Sequence, residues 1–313
     1  MDFIRILNKF KSQLFSNLER VIILNTVNVG VFKCGNIGTA PILELLFDEL
    51  AERKDINVRV VTTGSKMNVK DVEDALPKLL EFNPHLIVLV SPNAAIPGPA
   101  KAREILSRKG LPSIVISDAP ARRVTDEIEK QKLGYIIILG DPLIGARREF
   151  LDPLEMAIFN SNVIKVLAAT GIFRVIHQEI DRVITALKED IPVTLPNLIL
   201  DTNCIRDKCD FRNPYARAKA MAAYELAKKV AEINMQACFR EKEKEKYIPL
   251  VACAHEIILK AAELAEEARE IEKYADSLVR KPHSKDGRPL TKTDLMLPPI
   301  FDEETYEKWI GKQ

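Results

Sequence analysis

The sequence predicts an α/β protein with a Rossmann-like or flavodoxin-like parallel sheet domain, followed by a helical bundle and an extended C-terminal segment. Short β-branched runs alternate with longer amphipathic segments from residue 29 to about 139. This alternation is typical of a parallel sheet covered by helices on both faces. After Gly145 the chain consists of long segments rich in Ala, Glu, Lys and Leu. Residues 282–299 are rich in Pro, Lys and Asp, which indicates an extended segment.

Each predicted strand of the sheet domain is followed by a turn and then by a helix. Ligands of such sheets bind beyond the carboxyl ends of the strands. The informative loops are therefore residues 33–39, 63–67, 91–97, 118–120 and 140–145. The strands are expected at 29–32, 58–62, 86–90, 113–117 and 135–139, and the helices at 41–53, 69–82, 99–108 and 124–132.

The rest of the chain is predicted to be mainly helical. Helices are expected at 153–169, 173–188, 214–233 and 251–279, with a short extended piece at 198–200 and a loose tail at 301–313. The domains are thus an N-terminal extension (1–26), an α/β coenzyme-binding domain (27–145), a helical bundle (146–281) and an extended segment with tail (282–313). Because the compact fold is expected to begin near Val27, residues 1–26 are either an appendage or the product of a start codon placed too far upstream.

Composition excludes several classes of partner. The 313 residues include 46 Lys and Arg against 45 Asp and Glu, so no broad basic field exists to bind nucleic acid or an anionic membrane. The apolar stretch 3–24 contains five charged residues, so it is not expected to span a membrane. Five cysteines without C-x-x-C spacing, and no secretory signal, predict a cytoplasmic protein without a metal site.

The first turn of the sheet domain predicts a phosphate site. Gly35 and Gly38 match the second and third glycines of G-x-G-x-x-G, whereas Lys33 stands where the first would be. The N–H groups that begin a helix lack internal partners and attract phosphate. Taken alone, the two glycines indicate a tight strand-to-helix turn equally well.

The end of the second strand distinguishes between dinucleotides. An NAD enzyme usually has Asp or Glu here to bind the ribose hydroxyls. This chain instead has Thr63, Gly64, Ser65 and Lys66. A cation and hydroxyl groups favour an anionic ligand over NAD, and Lys66 also permits NADP.

Other motifs give weaker signals. His255 and Glu256 lack the second histidine of H-E-x-x-H, and neither G-x-S-x-G nor G-x-x-x-x-G-K-[ST] occurs. His177 lies among apolar residues of a predicted helix, where a packed bundle residue is the ordinary interpretation. Arg147 and Arg148 begin a dense charge cluster between sheet and bundle, where solvated helix-end charges are common.

Several sequence blocks together resemble a known family. They are FKCGNIGT (32–39), PNAAIPGPAKARE (92–104), SDAPA (117–121), GARREFLDPLEMAIFNSNVIKVLAATGIFRV (145–175), NPYARAKAMAA (213–223) and AHEIILKAAELAEEARE (254–270). In this order they resemble the coenzyme F-420-dependent methylenetetrahydromethanopterin dehydrogenases of methanogenic and related archaea. The resemblance covers roughly residues 27–299, and only the N-terminal segment and the tail depart from it.

The resemblance implies reversible hydride transfer from methylenetetrahydromethanopterin to coenzyme F-420, giving methenyltetrahydromethanopterin and the reduced coenzyme. It implies that F-420 is a cosubstrate, that no flavin or metal is bound, and that the enzyme serves archaeal one-carbon metabolism and methanogenesis. It also implies a cytoplasmic homohexamer, built as a trimer of dimers. F-420 carries a phosphodiester but no adenosine ribose, which agrees with Lys66 in place of an acidic residue.

Site residues follow from the strand ends and from the chemistry. Hydride transfer needs oriented rings rather than an obligate acid or base, and a carboxylate near the pterin would stabilise its cationic product. The alternatives are an NADP-linked dehydrogenase and a non-catalytic nucleotide-binding regulator. The coenzyme candidates are Lys33, Cys34, Gly35, Asn36, Gly38, Thr39, Ser65, Lys66, Ser91, Pro92 and Asn93; the carboxylate candidates are Asp118, Asp152 and Glu256; and Arg147, Arg148 and His255 are candidates for pterin or subunit contacts.

Overall fold

The computed structural model describes residues 26–311 and is built around a six-stranded parallel sheet. The strand order is β2-β1-β3-β4-β5-β6. Its first five positions are those of a flavodoxin-like sheet. In such a sheet β2 is added on one side of β1, and β3 and the later strands are added on the other side, so the strand order reverses between β1 and β3. The predicted fold class is confirmed. The strands are β1 (Val27–Lys33), β2 (Ile56–Thr62), β3 (Leu86–Ser91), β4 (Ser113–Asp118), β5 (Gly134–Ile138) and β6 (Asn197–Leu200).

The central strands are buried on both faces because helices cover the sheet on each side. Every residue of β3, β4 and β5 is buried. Successive residues of a strand point to opposite faces. Val88 accordingly belongs to the large core that includes the bundle, whereas Leu89 belongs to the smaller core on the other face. Continuous β-branched runs of this kind predicted the strands from sequence.

Four helices lie within the sheet domain, and their ends follow from capping residues. The helices are α1 (Thr39–Phe47), α2 (Val69–Leu80), α3 (Pro97–Lys109) and α4 (Thr125–Lys130). The Asn68 side chain caps α2 by accepting from the N–H of Asp71 at 3.0 Å. Helix α3 begins with Pro97 and ends at Gly110, whose φ of 63° is readily adopted by glycine.

The second half of the chain forms the helical bundle. Its helices are α5 (Pro153–Ala169), α6 (Ile172–Lys188), α7 (Thr202–Lys208), α8 (Pro214–Met235) and α9 (Lys244–Tyr274). The larger of the two cores, which contains Val88, also contains buried alanines of these helices. They include Ala220 and Ala227 of α8 and Ala261 and Ala265 of α9. Small side chains permit a short distance between helix axes.

The sixth strand connects the two halves of the chain. Residues 198–200 were expected to be a short extended piece within the helical region. The structure instead pairs β6 with β5 in parallel, with Asn197 beside Tyr135 and Leu200 beside Ile138. One hydrophobic core therefore contains sheet residues such as Ile138 and bundle residues such as Ile180.

The C-terminal segment is more ordered than predicted. Strands β7 (Leu290–Thr291) and β8 (Ile300–Phe301) pair antiparallel, and α10 (Glu303–Trp309) follows. The prediction of a loose tail is wrong for these residues, because Asp302 caps α10 and Tyr306 Oη donates to Glu189 at 2.8 Å. The predicted N-terminal extension lies, apart from Thr26, outside the described residues.

Across residues 26–311, no single helix is both long and apolar enough to cross a membrane. Helices α5 and α6 meet that requirement only as a pair, by length and composition, and they are bent by 69° where they join.

A buried ionic network fastens the C-terminal segment to the rest of the protein. The His283 ring lies between two carboxylates, with Nδ1 2.9 Å from Glu49 and Nε2 2.9 Å from Asp181. Asp181 also lies 2.8 Å from His177 Nε2 and 3.8 Å from Arg53. Asp181 and the two histidines place three possible metal-ligand atoms within 4.8 Å of one another. Both nitrogens of His283 nevertheless face carboxylates, which is the environment of a protonated imidazole.

This network predicts a pH-dependent contribution to stability. Although burial opposes it, the Asp181 and Glu49 carboxylates raise the pKa of His283 from 6.5 to about 9. Because the folded-state pKa is the higher one, the stabilisation is complete below about pH 6.5 and is lost as the pH rises through about 9. Replacing His283 with Gln should lower the free energy of unfolding by on the order of 3 kcal/mol more at pH 6 than at pH 10. Urea unfolding at the two pH values measures this, and an equal loss at both would contradict it.

Candidate functional site

Three loops meet at the carboxyl edge of the sheet, at the point where the strand order reverses. Gly35 follows β1 with a φ of 87°, and a Cβ atom there would lie 2.5 Å from Met67 and 2.9 Å from Pro92. A Cβ on Gly98 would overlap the carbonyl of Met67. Glycine is therefore required at both positions for the loops after β1, β2 and β3 to pack together. The predicted coenzyme residues lie on these three loops.

A buried carboxylate holds the first of these loops. Asp141, which follows β5, accepts from the N–H of Gly38 at 2.8 Å and from the N–H of Thr39 at 2.9 Å, and it also accepts from the Thr39 hydroxyl. These N–H groups open helix α1, where the sequence predicted a phosphate. In this structure they already have an anionic partner. The N–H groups of Asn36 and Ile37 have no acceptor among residues 26–311. They are therefore the backbone donors of this loop that an anion could bind.

The side chains of the coenzyme candidates separate into two groups. Cys34 is wholly buried in the smaller core, where burial raises the pKa of its thiol to about 11. Lys33 pairs with Glu44 at 2.8 Å. Those that are buried are Cys34, Gly35, Gly38, Thr39, Ser91 and Pro92, whereas Asn36, Ser65 and Lys66 are exposed and Lys33 and Asn93 are half-buried.

Lys66 is a cation at the rim of this edge. Its loop is shaped by the Thr63 hydroxyl, which donates to the carbonyl of Lys66 at 2.6 Å, and by Gly64, whose φ is 65°. The Lys66 side chain is exposed and makes no salt bridge with any carboxylate in the described part of the chain. It is therefore free to pair with an anionic ligand.

A second part of the site lies between the end of β4 and the C-terminal end of α8. It is a mainly apolar slot of about 470 Å³, including its open mouth. The lining residues are Asp118, Ala119, Pro120, Leu143, Ile144, Ala146, Ala231, Asn234, Met235, Cys238 and Phe239.

Asp118 is the acidic group of this slot. It is 4% exposed and ends β4. Burial and, to a lesser extent, the charge of Asp141 raise the pKa of Asp118 well above its usual value, opposed by the N–H of Ala119. Burial also raises the pKa of Asp141 to about 6, although its three hydrogen bonds oppose the change. Burial and the nearby charge of Asp141 therefore favour the protonated form of Asp118 more than for an exposed carboxyl group.

Asn234 supplies a free acceptor in the same slot. Its amide nitrogen donates to the carbonyl of Leu143 at 2.6 Å, which fixes the orientation of the side chain. Its Oδ1 atom is buried and has no hydrogen-bond partner among residues 26–311. A buried acceptor without a donor is costly, so a ligand N–H at this position would be favourable.

Tyr224 sets the position of the loop that carries Asp141. Its hydroxyl accepts from the N–H of Gly140 at 3.1 Å and donates to the carbonyl of Leu200 at 2.7 Å. A Cβ on Gly140 would lie 2.3 Å from the Tyr224 ring, so only glycine fits there. The tyrosine therefore joins the ends of β5 and β6 to helix α8.

The remaining acidic candidates lie outside this slot. Asp152 is exposed and caps α5, accepting from the N–H groups of Leu154 at 2.9 Å and Glu155 at 3.2 Å. Glu256 is exposed on α9. Neither of these two carboxylates lines the slot that contains Asp118.

The basic candidates occupy different positions. Arg147 is half-buried, donates to the carbonyls of Ala237 and Glu241, and stacks 4.0 Å from the Tyr247 ring centre. It thereby holds the chain after α8, whereas Arg148 is exposed. His255 lies against two phenylalanine rings and 3.4 Å from Glu155, and burial lowers its pKa.

Sequence reasoning missed Asp141, Tyr224 and Asn234. Each is a polar residue in an apolar setting, which was the available signal. Their partners lie far away in sequence: 102 residues separate Asp141 from Thr39, and 91 separate Asn234 from Leu143. Nothing in a single sequence shows which buried groups will meet across such distances.

Known proteins are similar to nearly the whole described chain. The family model for methylene-5,6,7,8-tetrahydromethanopterin dehydrogenase matches residues 27–299. The F-420-dependent methylenetetrahydromethanopterin dehydrogenase of Methanothermobacter thermautotrophicus is 53% identical over 273 residues, which is 87% of this chain and 99% of that protein. The enzyme of the same name from Archaeoglobus fulgidus is 54% identical over 273 residues, with the same coverage of 87% and 99%.

A solved structure is similar throughout the same region. It is an F-420-dependent methylene-tetrahydromethanopterin dehydrogenase in complex with methylene-tetrahydromethanopterin and coenzyme F-420. The TM-score is 0.85 at 48% identity, and the match covers 88% of this chain and 99% of that one.

The bonds of Asp141 predict a large effect of a small substitution. Replacing Asp141 with Asn keeps the shape but places an amide NH₂ group against buried donors. We expect the free energy of unfolding to fall by roughly 2–3 kcal/mol, since each hydrogen bond to a buried charge contributes about 1.5–3 kcal/mol. The exposed cap variant Asp152→Asn is the control and should cost well under about 1 kcal/mol. Denaturant unfolding measures both, and equal losses would contradict the role given to Asp141.

Proposed function

Because the chain belongs to the methylene-5,6,7,8-tetrahydromethanopterin dehydrogenase family, we propose that the cleft at the carboxyl edge of its sheet binds its two substrates side by side. The chain is an oxidoreductase, with F-420-dependent methylenetetrahydromethanopterin dehydrogenase activity and coenzyme F-420 as its cosubstrate. The observation that supports the cleft is the junction of three glycine-shaped loops with a neighbouring apolar slot.

The reaction determines what such a cleft has to supply. A hydride moves from the methylene carbon of the pterin to the deazaflavin, and the pterin becomes a cation. Full reduction of the deazaflavin also takes up one proton. Holding the two reacting carbons in contact accounts for most of the rate that an enzyme of this kind needs. A group that holds a proton beside the rings would complete the balance.

The three loops are the coenzyme side of the proposed cleft. Lys66 provides a cation for the phosphodiester of F-420, and the N–H groups of Asn36 and Ile37 provide donors in the first loop. Gly38 and Thr39 do not donate to the coenzyme, because their N–H groups already donate to Asp141. They contribute by holding the first loop in place. Cys34, Ser91 and Pro92 are buried and shape the loops from beneath rather than contacting the coenzyme with exposed side chains.

Asp118 is the residue to which we assign the proton. Its raised pKa favours the protonated form, and it lines a mainly apolar slot. Once it has given its proton to the reduced deazaflavin, its carboxylate lies in the same cleft as the newly formed pterin cation and stabilises it. Asp118 thus acts as an acid, which was not predicted from the sequence. It also keeps the predicted role of stabilising the pterin cation.

The two alternative functions have less support. An NADP-linked dehydrogenase would use the same Lys66, but the similar proteins are named for F-420. A non-catalytic nucleotide-binding regulator would not explain why one slot holds a buried carboxyl group with a raised pKa and an acceptor that has no donor among the described residues.

We also propose self-association into a hexamer, as a trimer of dimers in the cytoplasm. Leu151, just before α5, and Leu154 and Ile158, in its first two turns, are apolar side chains that are 47%, 67% and 50% exposed. Groups of exposed apolar side chains mark protein interfaces. Arg148 and His255, which precede and neighbour α5, would then lie near a subunit contact. A mass of one chain by light scattering would contradict this proposal.

The role of Lys66 predicts a selective effect on one substrate. Replacing Lys66 with Ala should raise the KM for F-420 by about tenfold, since an exposed ion pair with a phosphate contributes on the order of 1 kcal/mol or more. The KM for the pterin should change little. Lys70→Ala, four residues further along the chain, is the matched control. Steady-state kinetics with each substrate varied in turn measures the two KM values. An equal rise in both would show that Lys66 does not belong to the coenzyme site.

The role of Asp118 predicts a loss in turnover rather than in binding. Asp118→Asn keeps the shape and a hydrogen-bond donor but cannot give a proton. We expect kcat to fall by about 10²–10⁴-fold, the usual contribution of a general acid. Asp152→Asn and Glu256→Gln are the controls and should keep kcat near that of the wild type. Stopped-flow rates at saturating substrate decide it, and an unchanged kcat in Asp118→Asn would disprove the assignment.

A further inference from the structure

A second cavity lies at the opposite end of the bundle from the cleft. Its volume is about 580 Å³, and it lies between the C-terminal end of α5, the start of α6 and the C-terminal part of α9. Arg217 of α8 lines an adjoining pocket that shares Asp210, Phe211 and Val279 with this cavity. It stands 17 residues before Asn234 of the cleft, which corresponds to about 25 Å along a helix. The cavity is therefore separate from the proposed substrate cleft.

Three arginines line this cavity. They are Arg174 from α6, Arg269 from α9 and Arg280 from the segment that follows. Among the side chains that the structure describes, no carboxylate oxygen lies within the 4.0 Å salt-bridge distance of any of these guanidinium groups. By contrast, Arg182 on the same helix α6 pairs with Glu179 at 2.9 Å. The cavity thus gathers guanidinium groups that lack an anionic partner.

The two carboxylates of the cavity are already engaged elsewhere. Asp210 pairs with Lys281 at 3.6 Å. Glu272 is 1% exposed, accepts from the N–H of Asn213 at 2.7 Å and also accepts from the Ser277 hydroxyl. Three guanidinium groups therefore face two carboxylates that are bonded to other groups, and positive charge is in excess.

Two arginines, Arg174 and Arg217, are incompletely hydrogen-bonded in residues 26–311, which supports the binding of an anion near them. Burial lowers the pKa of Arg174, only partly opposed by the charge of Asp210. Its one hydrogen bond within the described residues goes to the carbonyl of Val279 at 3.2 Å. In an adjoining pocket that shares Asp210 and Val279, the Nε of Arg217 is buried and has no partner in the described chain.

We propose that this cavity binds a phosphate group, as the free ion or as a small phosphate ester. The forked, planar donors of arginine match the oxygens of a phosphate, and several such donors around one cavity favour a dianion. Because Arg174, Arg269 and Arg280 come from α6, α9 and the segment after it, an anion between them would tie these three parts together. The site requires no residue of the substrate cleft.

The test uses the whole protein and inorganic phosphate. Isothermal titration at constant ionic strength, with chloride replaced by phosphate, should show saturable binding, and the Tm should rise with the same concentration dependence. Arg174→Gln should raise the apparent Kd by about tenfold or more, because the variant loses a charge-assisted hydrogen bond to the anion. Arg280→Gln should act in the same direction, and it gives a second reading should Arg174→Gln fold poorly. Arg182→Gln is the matched control and should bind phosphate as the wild type does.

The outcomes separate the possibilities. A rise in Tm without saturation, equal in all variants, would overturn the proposal and leave only a general salt effect. Tighter binding of glycerol 3-phosphate than of inorganic phosphate would assign the site to an ester, and the reverse would assign it to the free ion. Since the readouts are binding and Tm, they are independent of hydride transfer and therefore of the proposed function.

Discussion

The bond of Asp141 to the start of helix α1 is the constraint on which the rest of the site depends. This buried carboxylate follows β5, yet it accepts hydrogen bonds from the N–H groups of Gly38 and Thr39 and from the Thr39 hydroxyl, at the beginning of α1. It therefore ties together the carboxyl ends of two strands that are separated in the sheet by β3 and β4. The loop of Gly35 is fixed from one side by this bond and from the other by Met67 and Pro92.

The same carboxylate influences the chemistry of the cleft. Its charge adds to burial in raising the pKa of Asp118, the acidic group of the apolar slot. One buried group thus orders the first loop of the coenzyme site and helps to raise the pKa of Asp118. Tyr224 supports both functions, because its hydroxyl bonds the Gly140 N–H that immediately precedes Asp141. The result is a cleft whose two halves are coupled through the end of β5.

Much of this fold could be predicted from the sequence, because β-branched runs and amphipathic periods determine which segments are strands and helices. The end of α5 at Ala169 and the turn at Gly35 are examples. Strand β6 could not be placed in the sheet, because a four-residue strand with two exposed residues carries little periodicity. Asp141, Asn234 and the His283 network depend on contacts between distant segments. Of the predicted carboxylates, Asp118 lies in the slot, whereas Asp152 and Glu256 do not.

A crystal structure of the protein with coenzyme F-420 bound would show whether Asp141 and the three loops form the coenzyme site. We expect the phosphodiester to lie beside Lys66 and the deazaflavin ring to lie within contact distance, about 4 Å, of the loops after β1 and β3. Asp141 should still accept hydrogen bonds from Gly38 and Thr39. A coenzyme bound away from these loops, or a phosphate that displaces Asp141 from the start of α1, would contradict this assignment of the coenzyme site.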